Sequence, residues 1–213
     1  MDLTEFVNHI RGEEGSQVHL VIARSGEAEN LEFDITRKNL VLPTVSSQML
    51  ENHTGYIQVT EFTEHTAEQF EEALDSLQGD GMTALIVDLR SNPGGMLTSV
   101  CDMLDDILPK GLLVYTEDRS GKRVDYTSTD EKTLDLPLAV LVNGYSASAS
   151  EIFAGAIQDR KAGTIIGTTT YGKGVVQSIL TLKDGSAFKI TTNRYFTPVS
   201  YTHLRAHETA ANL

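Results

Sequence analysis

A mixed α/β domain is what this sequence predicts, on three observations. Two short apolar runs, Ala84–Leu89 and Leu138–Val142, have the length and aliphatic, β-branched content of buried strands. Each run breaks at a turn, Asn92-Pro93-Gly94-Gly95 after the first and Asn143-Gly144 after the second, and leads into a segment with helical apolar spacing. Near the C-terminal end, Ala187–Thr192 alternates in side-chain character behind a hairpin turn at Lys183–Ser186. Strand–turn–helix units beside antiparallel strands make a mixed sheet.

Taken in order, Asp2–Ile10 reads as a short helix, Arg11–Gly15 as a turn and Gln17–Ile22 as a strand. Two strand-like runs, LEFDI and LVLPTV, follow between Asn30 and Val45. Gly55–Thr60 alternates and reads as a strand, and Thr66–Leu77 carries Ala67, Phe70, Ala73, Leu74 and Leu77 at helical spacing, with Thr66 placed to cap it. The run Ala84–Leu89 is nearly all apolar, as for a strand buried on both faces, and a helix is expected from about Leu97 to Leu108. Leu112–Thr116 is a further strand, turning at Asp118–Arg123. Past Leu138–Val142, a helix is expected from Glu151 to about Gln158, capped by Ser150, with strands at Gly163–Gly167 and Ser178–Leu182.

Composition narrows the function. With 213 residues, 40% of them hydrophobic, the chain has material for a real core. A formal charge of −13 argues against nucleic acid or an anionic membrane surface as partner. The single cysteine, Cys101, leaves no intramolecular disulfide and no cysteine-rich metal site, and its helical setting reads as a packed thiol. No apolar stretch approaches the roughly 18 residues of a membrane span, and no signal-peptide pattern opens the chain. His203 and His207 stand four apart but lack a third ligand nearby, so no metal and no cofactor is expected.

Chemistry concentrates between Leu138 and Gln177. The small-residue segment Ser146-Ala147-Ser148-Ala149-Ser150 lies where a strand turns into a helix, so a hydroxyl can be exposed beside free N–H groups that suit developing negative charge. Further on comes Lys173, between Gly172 and Gly174, with Gln177 close behind. A lysine can act as base toward a serine when neutral. Its ordinary pKa is ~10.4, and burial can bring such a group to roughly 7–8. Acidic residues are absent from the ten positions on either side of Lys173, and Val175 and Val176 supply apolar cover.

The segments VLVNGYSASASEIFAGAIQD and GTTTYGKGVVQ, in this order and spacing, resemble the carboxyl-terminal processing peptidases, tail-specific serine proteases that use a Ser–Lys pair. The resemblance implies Ser148 as nucleophile, Lys173 as general base and Gln177 as the residue that orients it. The segment Arg90-Ser91-Asn92-Pro93-Gly94-Gly95 resembles the family's R-x-N-P-G-G turn, which implies an oxyanion hole made by the N–H groups of Gly94 and Ala149. It also implies the mixed-sheet spiral fold shared with the Clp and crotonase families. Ahead of that core, the first helix, turn and strand resemble the closing part of a PDZ domain.

The expected organisation is therefore a PDZ-domain remnant at 1–27, connecting strands at 28–54, a tail-specific peptidase core at 55–198 and an atypical tail, read as non-native, at 199–213. After Pro198 the family pattern calls for Ser or Asn, then Gly and another strand, which this sequence lacks. The implied function is a serine endopeptidase cutting peptide bonds near protein C-termini. Its partners would be protein or peptide substrates with accessible tails, in an extracytoplasmic compartment of a bacterium, with homo-oligomers allowed. Two alternatives stay open: a catalytically impaired fragment or non-catalytic peptide-binding scaffold of the same fold, and a crotonase-like acyl-thioester enzyme. The thioester reading would not need Lys173, and the sequence offers it no basic patch for a nucleotide tail.

Overall fold

The computed structural model describes residues 2–129 and 133–199. The tail from Ser200 onward, with His203 and His207, lies outside them. The chain divides into two compact units, residues 1–42 and 43–213.

The first unit holds helix α1 (Leu3–Ile10) and two antiparallel strands, β1 (Gln17–Ile22) and β2 (Leu31–Thr36), in the register Gln17↔Thr36 to Ile22↔Leu31. Asp2 caps α1 by accepting the Glu5 N–H at 2.8 Å. At the other end the Arg37 guanidinium donates to the carbonyls of His9 (3.1 Å), Ile10 (2.6 Å) and Gln17 (2.9 Å). One side chain thus satisfies last-turn carbonyls that the helix itself cannot. The run LVLPTV does not form the second expected strand. Leu40, Val41 and Leu42 are exposed, Pro43 has no N–H to give a ladder, and pairing resumes only at Val45.

The second unit carries two sheets. One has the order β3-β4-β5-β8-β9: β3 (Val45–Leu50) runs antiparallel to β4 (Thr54–Val59), and β4, β5 (Ala84–Asp88), β8 (Leu138–Val142) and β9 (Thr164–Gly167) are parallel. The other is antiparallel, with order β10 (Val175–Thr181), β11 (Ala187–Phe196), β6 (Gly111–Asp118), β7 (Arg123–Ser128). Helices α2 (Thr66–Gly79), α3 (Leu97–Asp105) and α4 (Ala149–Asp159) pack in series, α2 on α3 and α3 on α4.

Burial along the parallel strands alternates. Leu85, Val87, Leu138, Val140 and Val142 are buried, whereas Ala84, Ile86, Ala139 and Leu141 are half-buried. The expected two-sided burial of Ala84–Leu89 forms only in part: Asp88 and Leu89 are buried as well, while Ala84 and Ile86 are half-buried. α3 ends at Asp105, three residues before the expected Leu108. Thr66 opens α2 rather than capping it: its Oγ1 reaches Thr44 Oγ1 (2.7 Å) and the Glu61 carbonyl (3.1 Å), and accepts the Thr63 N–H (2.8 Å). This hydroxyl holds the preceding loop instead of the helix end.

Candidate active site

Both turns expected to carry chemistry sit at the C-terminal ends of adjacent parallel strands, where ligands gather in open α/β sheets. They are stitched to each other. The Asn92 carbonyl accepts the Ala147 N–H and the Ser150 hydroxyl, both at 3.0 Å, and Ser146 Oγ donates to the Leu89 carbonyl at 2.7 Å. Ser146 and Ser150 are thereby consumed as buried structural donors. Ser150 lies inside α4, so the expected cap falls to Ser148.

Ser148 has φ +57 and ψ −114, a conformation that non-glycine residues rarely adopt. Its strand-to-helix elbow points the side chain into a cavity of about 760 Å³. Gly94 comes so close that a Cβ there would lie 2.6 Å from Ser148 Cβ and 2.9 Å from the Ala149 nitrogen, and its φ is +101. Only glycine fits on both counts. The Ala149 N–H has no hydrogen-bond partner among the described residues. The Gly94 N–H, by contrast, donates to Asn92 Oδ1 at 2.8 Å, while Asn92 Nδ2 is tied to the Val59 carbonyl at 2.9 Å.

Arg90, at the start of the same turn, grips the buried Asp88 through Nε (2.9 and 3.0 Å) and Nη2 (2.6 Å), and Tyr56 adds its hydroxyl at 2.7 Å. Burial alone would raise the Asp88 carboxyl, but the hydrogen bonds from Arg90 and Tyr56 outweigh it and hold it below the usual range.

Lys173 sits in the loop between β9 and β10 and is half-buried. It lines the same cavity as Ser148 and Ala149, as does Gln177, which is exposed and stands at a β-bulge in β10. Phe62, Ile152, Val175 and Val176 give that cavity apolar walls. No hydrogen bond joins the side chains of Ser148, Lys173 and Gln177 among the described residues. No group of three or more acidic, histidine or cysteine side chains there could hold a metal.

Sequence reasoning missed the group at the centre of this arrangement. Glu151 is 1% exposed. Its Oε1 accepts from Thr170 Oγ1 (2.8 Å) and the Gly172 N–H (2.5 Å); its Oε2 accepts from the N–H groups of Ser148 (2.9 Å) and Lys173 (2.9 Å). The acid-free sequence around Lys173 is thus not acid-free in space. Tyr195, from β11, lies over the same carboxylate: its hydroxyl is 3.5 Å from Oε2 and accepts the Gly174 N–H at 3.2 Å. Burial and the neighbouring Glu151 push the Tyr195 phenol up. Glutamate three residues after a serine at a helix start is a readable capping-box pattern, whereas Thr170 and Tyr195 leave no local signal.

This chain belongs to peptidase family S41, whose family profile matches residues 53–210. Among curated relatives, it is 37% identical to a carboxyl-terminal-processing protease of Synechocystis sp. over 93% of this chain and 47% of that protein. It is 38% identical to the carboxy-terminal processing protease CtpB of Bacillus subtilis, over 92% of this chain and 42% of that one. The chain therefore spans about half the length of the curated relatives it matches. Among solved structures, the photosystem II D1 C-terminal processing protease superposes with a TM-score of 0.70 at 29% identity, over 95% of this chain and 56% of that chain. A putative S41 protease from Bacteroides fragilis shares the fold, with a TM-score of 0.66 at 19% identity.

Proposed function

We propose that the chain carries the peptidase core of a carboxyl-terminal processing protease, cutting protein substrates near accessible C-terminal tails. The observation that carries this reading is the meeting of two sequence-distant segments. Ser148 on a strained elbow and Lys173 on a glycine-flanked loop line one cavity, beside the Ala149 N–H, which has no partner among the described residues.

In the proposed reaction, neutral Lys173 Nζ takes the Ser148 Oγ proton as that oxygen attacks the substrate carbonyl carbon. The tetrahedral oxyanion is held by the N–H groups of Ala149 and Gly94, each contributing about 3 kcal/mol to transition-state binding. The resulting lysinium protonates the leaving amine as the C–N bond breaks, leaving an ester on Ser148. Water, giving its proton to the same lysine, then attacks the ester and regenerates the hydroxyl. Gln177 orients the lysine. Because Gly94 already donates to Asn92 Oδ1, binding an oxyanion there exchanges one acceptor for another.

That engaged N–H, and the missing hydrogen bonds among Ser148, Lys173 and Gln177, favour one second reading: a resting or impaired arrangement that the rest of a longer protein sets right. Residues 1–27 are proposed as a PDZ remnant and 28–54 as the connection to the core, and an extracytoplasmic setting is proposed with them. Cleavage of an unstructured protein ending in apolar residues, by wild type and by Ser148→Ala, tests the function. Activity lost in the variant supports the nucleophile. Equal cleavage by both overturns it, and activity gained only on N-terminal extension supports the second reading.

A further inference from the structure

We propose that Glu151, seconded by Tyr195, is a positioning residue that sets the spacing between nucleophile and base; this rests on the peptidase reading above. Capping α4 needs only the Ser148 N–H bond, and most capping glutamates make it at the protein surface. Here the carboxylate is buried, and no ion pair reaches it among the described residues. A buried carboxylate without a cation is costly unless its lone pairs are filled by hydrogen bonds. Three of the four strong donors that fill them come from the lysine loop: the Thr170 hydroxyl and the N–H groups of Gly172 and Lys173. The fourth is the N–H of Ser148 itself. Oε2 alone bridges the backbones of both reacting residues.

The loop has few other ties to the elbow. Thr168 donates to the Val142 carbonyl at 3.3 Å and Tyr171 to the Ser146 carbonyl at 3.0 Å. Beyond Tyr171, the only hydrogen bonds among the described residues that fix Gly172 to Gly174 run to Glu151, to Tyr195 and, through the Gly174 carbonyl, from the Tyr195 N–H. Tyr195 adds a third element, since its hydroxyl lies between Gly174, Glu151 and the Ser148 carbonyl.

Glutamine cannot replace this carboxylate. At Oε2 both strong donors are backbone N–H groups, and at Oε1 one is, so either orientation of an amide sets its NH₂ against at least one N–H. Aspartate keeps the charge but is one methylene too short to reach both segments.

The test uses the ¹⁵N-labelled chain and the variants Glu151→Gln, Thr170→Val and Tyr195→Phe. In Glu151→Gln the amides of Gly172 and Lys173 should exchange on the order of tenfold faster or more, with Val140 and Ile165 of the central sheet unchanged. kcat should fall about 100-fold with KM within a few-fold. Thr170→Val and Tyr195→Phe should show smaller changes of the same kind, which carries the test if the glutamine variant does not fold. Unchanged Gly172 and Lys173 exchange overturns the clamp, as does faster exchange with full kcat. A wild type that hydrolyses nothing counts against the peptidase reading, and the amide readout still decides whether Glu151 holds the loop to the elbow.

Discussion

The serine turn and the lysine loop reach the same cavity from very different surroundings. Around Ser148 the neighbours Ser146, Ser150 and Asn92 are fully buried, and each makes a hydrogen bond to a backbone group on an adjoining element. Past Lys173 the chain enters the β10–β11 hairpin, where Ile179, Leu180, Phe188 and Ile190 are all exposed. The proposed nucleophile is thus held by the core itself, and the proposed base by a handful of bonds at the core's edge. Preorganisation of the two halves is unequal, and the catalytic spacing is only as firm as its weaker side.

The largest effects should come from the proposed nucleophile and base. Ser148→Ala and Lys173→Ala are expected to lower kcat at least about a thousandfold with unchanged melting temperatures. Substantial turnover by Lys173→Ala would break the comparison by removing the loop from the chemistry. Next comes the contact between the two turns. Gly94→Ala inserts a Cβ 2.6 Å from Ser148 Cβ at a positive φ, and should cost roughly 3 kcal/mol of stability together with activity. Denaturant unfolding checks it.

A middle-sized effect is expected at Arg90. Asp88 is held below its unfolded pKa, so the stability its contacts provide is present above about pH 4 and is lost as pH falls through the lower folded value. Arg90→Ala should therefore destabilise by about 1–2 kcal/mol at neutral pH, and the gap from wild type should close on acidification. A gap independent of pH would show that Arg90 acts by packing. The smallest effect belongs to the open side: Ile179→Ser, at a 68% exposed position, should change stability by less than about 0.5 kcal/mol. Because Ile179 lines the cavity, any change should appear in KM.

Legibility followed the same division. Ser148, Lys173, Gln177 and the Asn92–Gly95 turn were singled out by the family resemblance of the short segments that hold them, since each residue taken alone reads as ordinary structure; the fold brings Ser148, Ala149, Lys173 and Gln177 to one cavity. Glu151 was half legible, as the fourth residue of a capping box. Its bonds to Gly172 and Lys173 span 21 and 22 positions, and its neighbour Tyr195 arrives from another strand, so no local pattern announces them. The strand expected at LVLPTV failed for a related reason. Its apolar residues suggested a strand, but Leu40, Val41 and Leu42 are exposed, Pro43 has no N–H to give a ladder, and among the described residues pairing resumes only at Val45.

The backbone at Ser148 sets folding and chemistry against each other. A conformation near φ +57 and ψ −114 suits glycine, yet glycine would delete the hydroxyl. Strain of this kind costs on the order of 1–3 kcal/mol, more than the roughly 0.4–1 kcal/mol of extra chain entropy a glycine brings to the unfolded state. A glycine variant should then melt above the alanine variant, which keeps the strain, and at or above wild type. Random mutation screened for thermal tolerance alone would drift toward glycine at this codon, removing the hydroxyl that the proposed function makes the nucleophile.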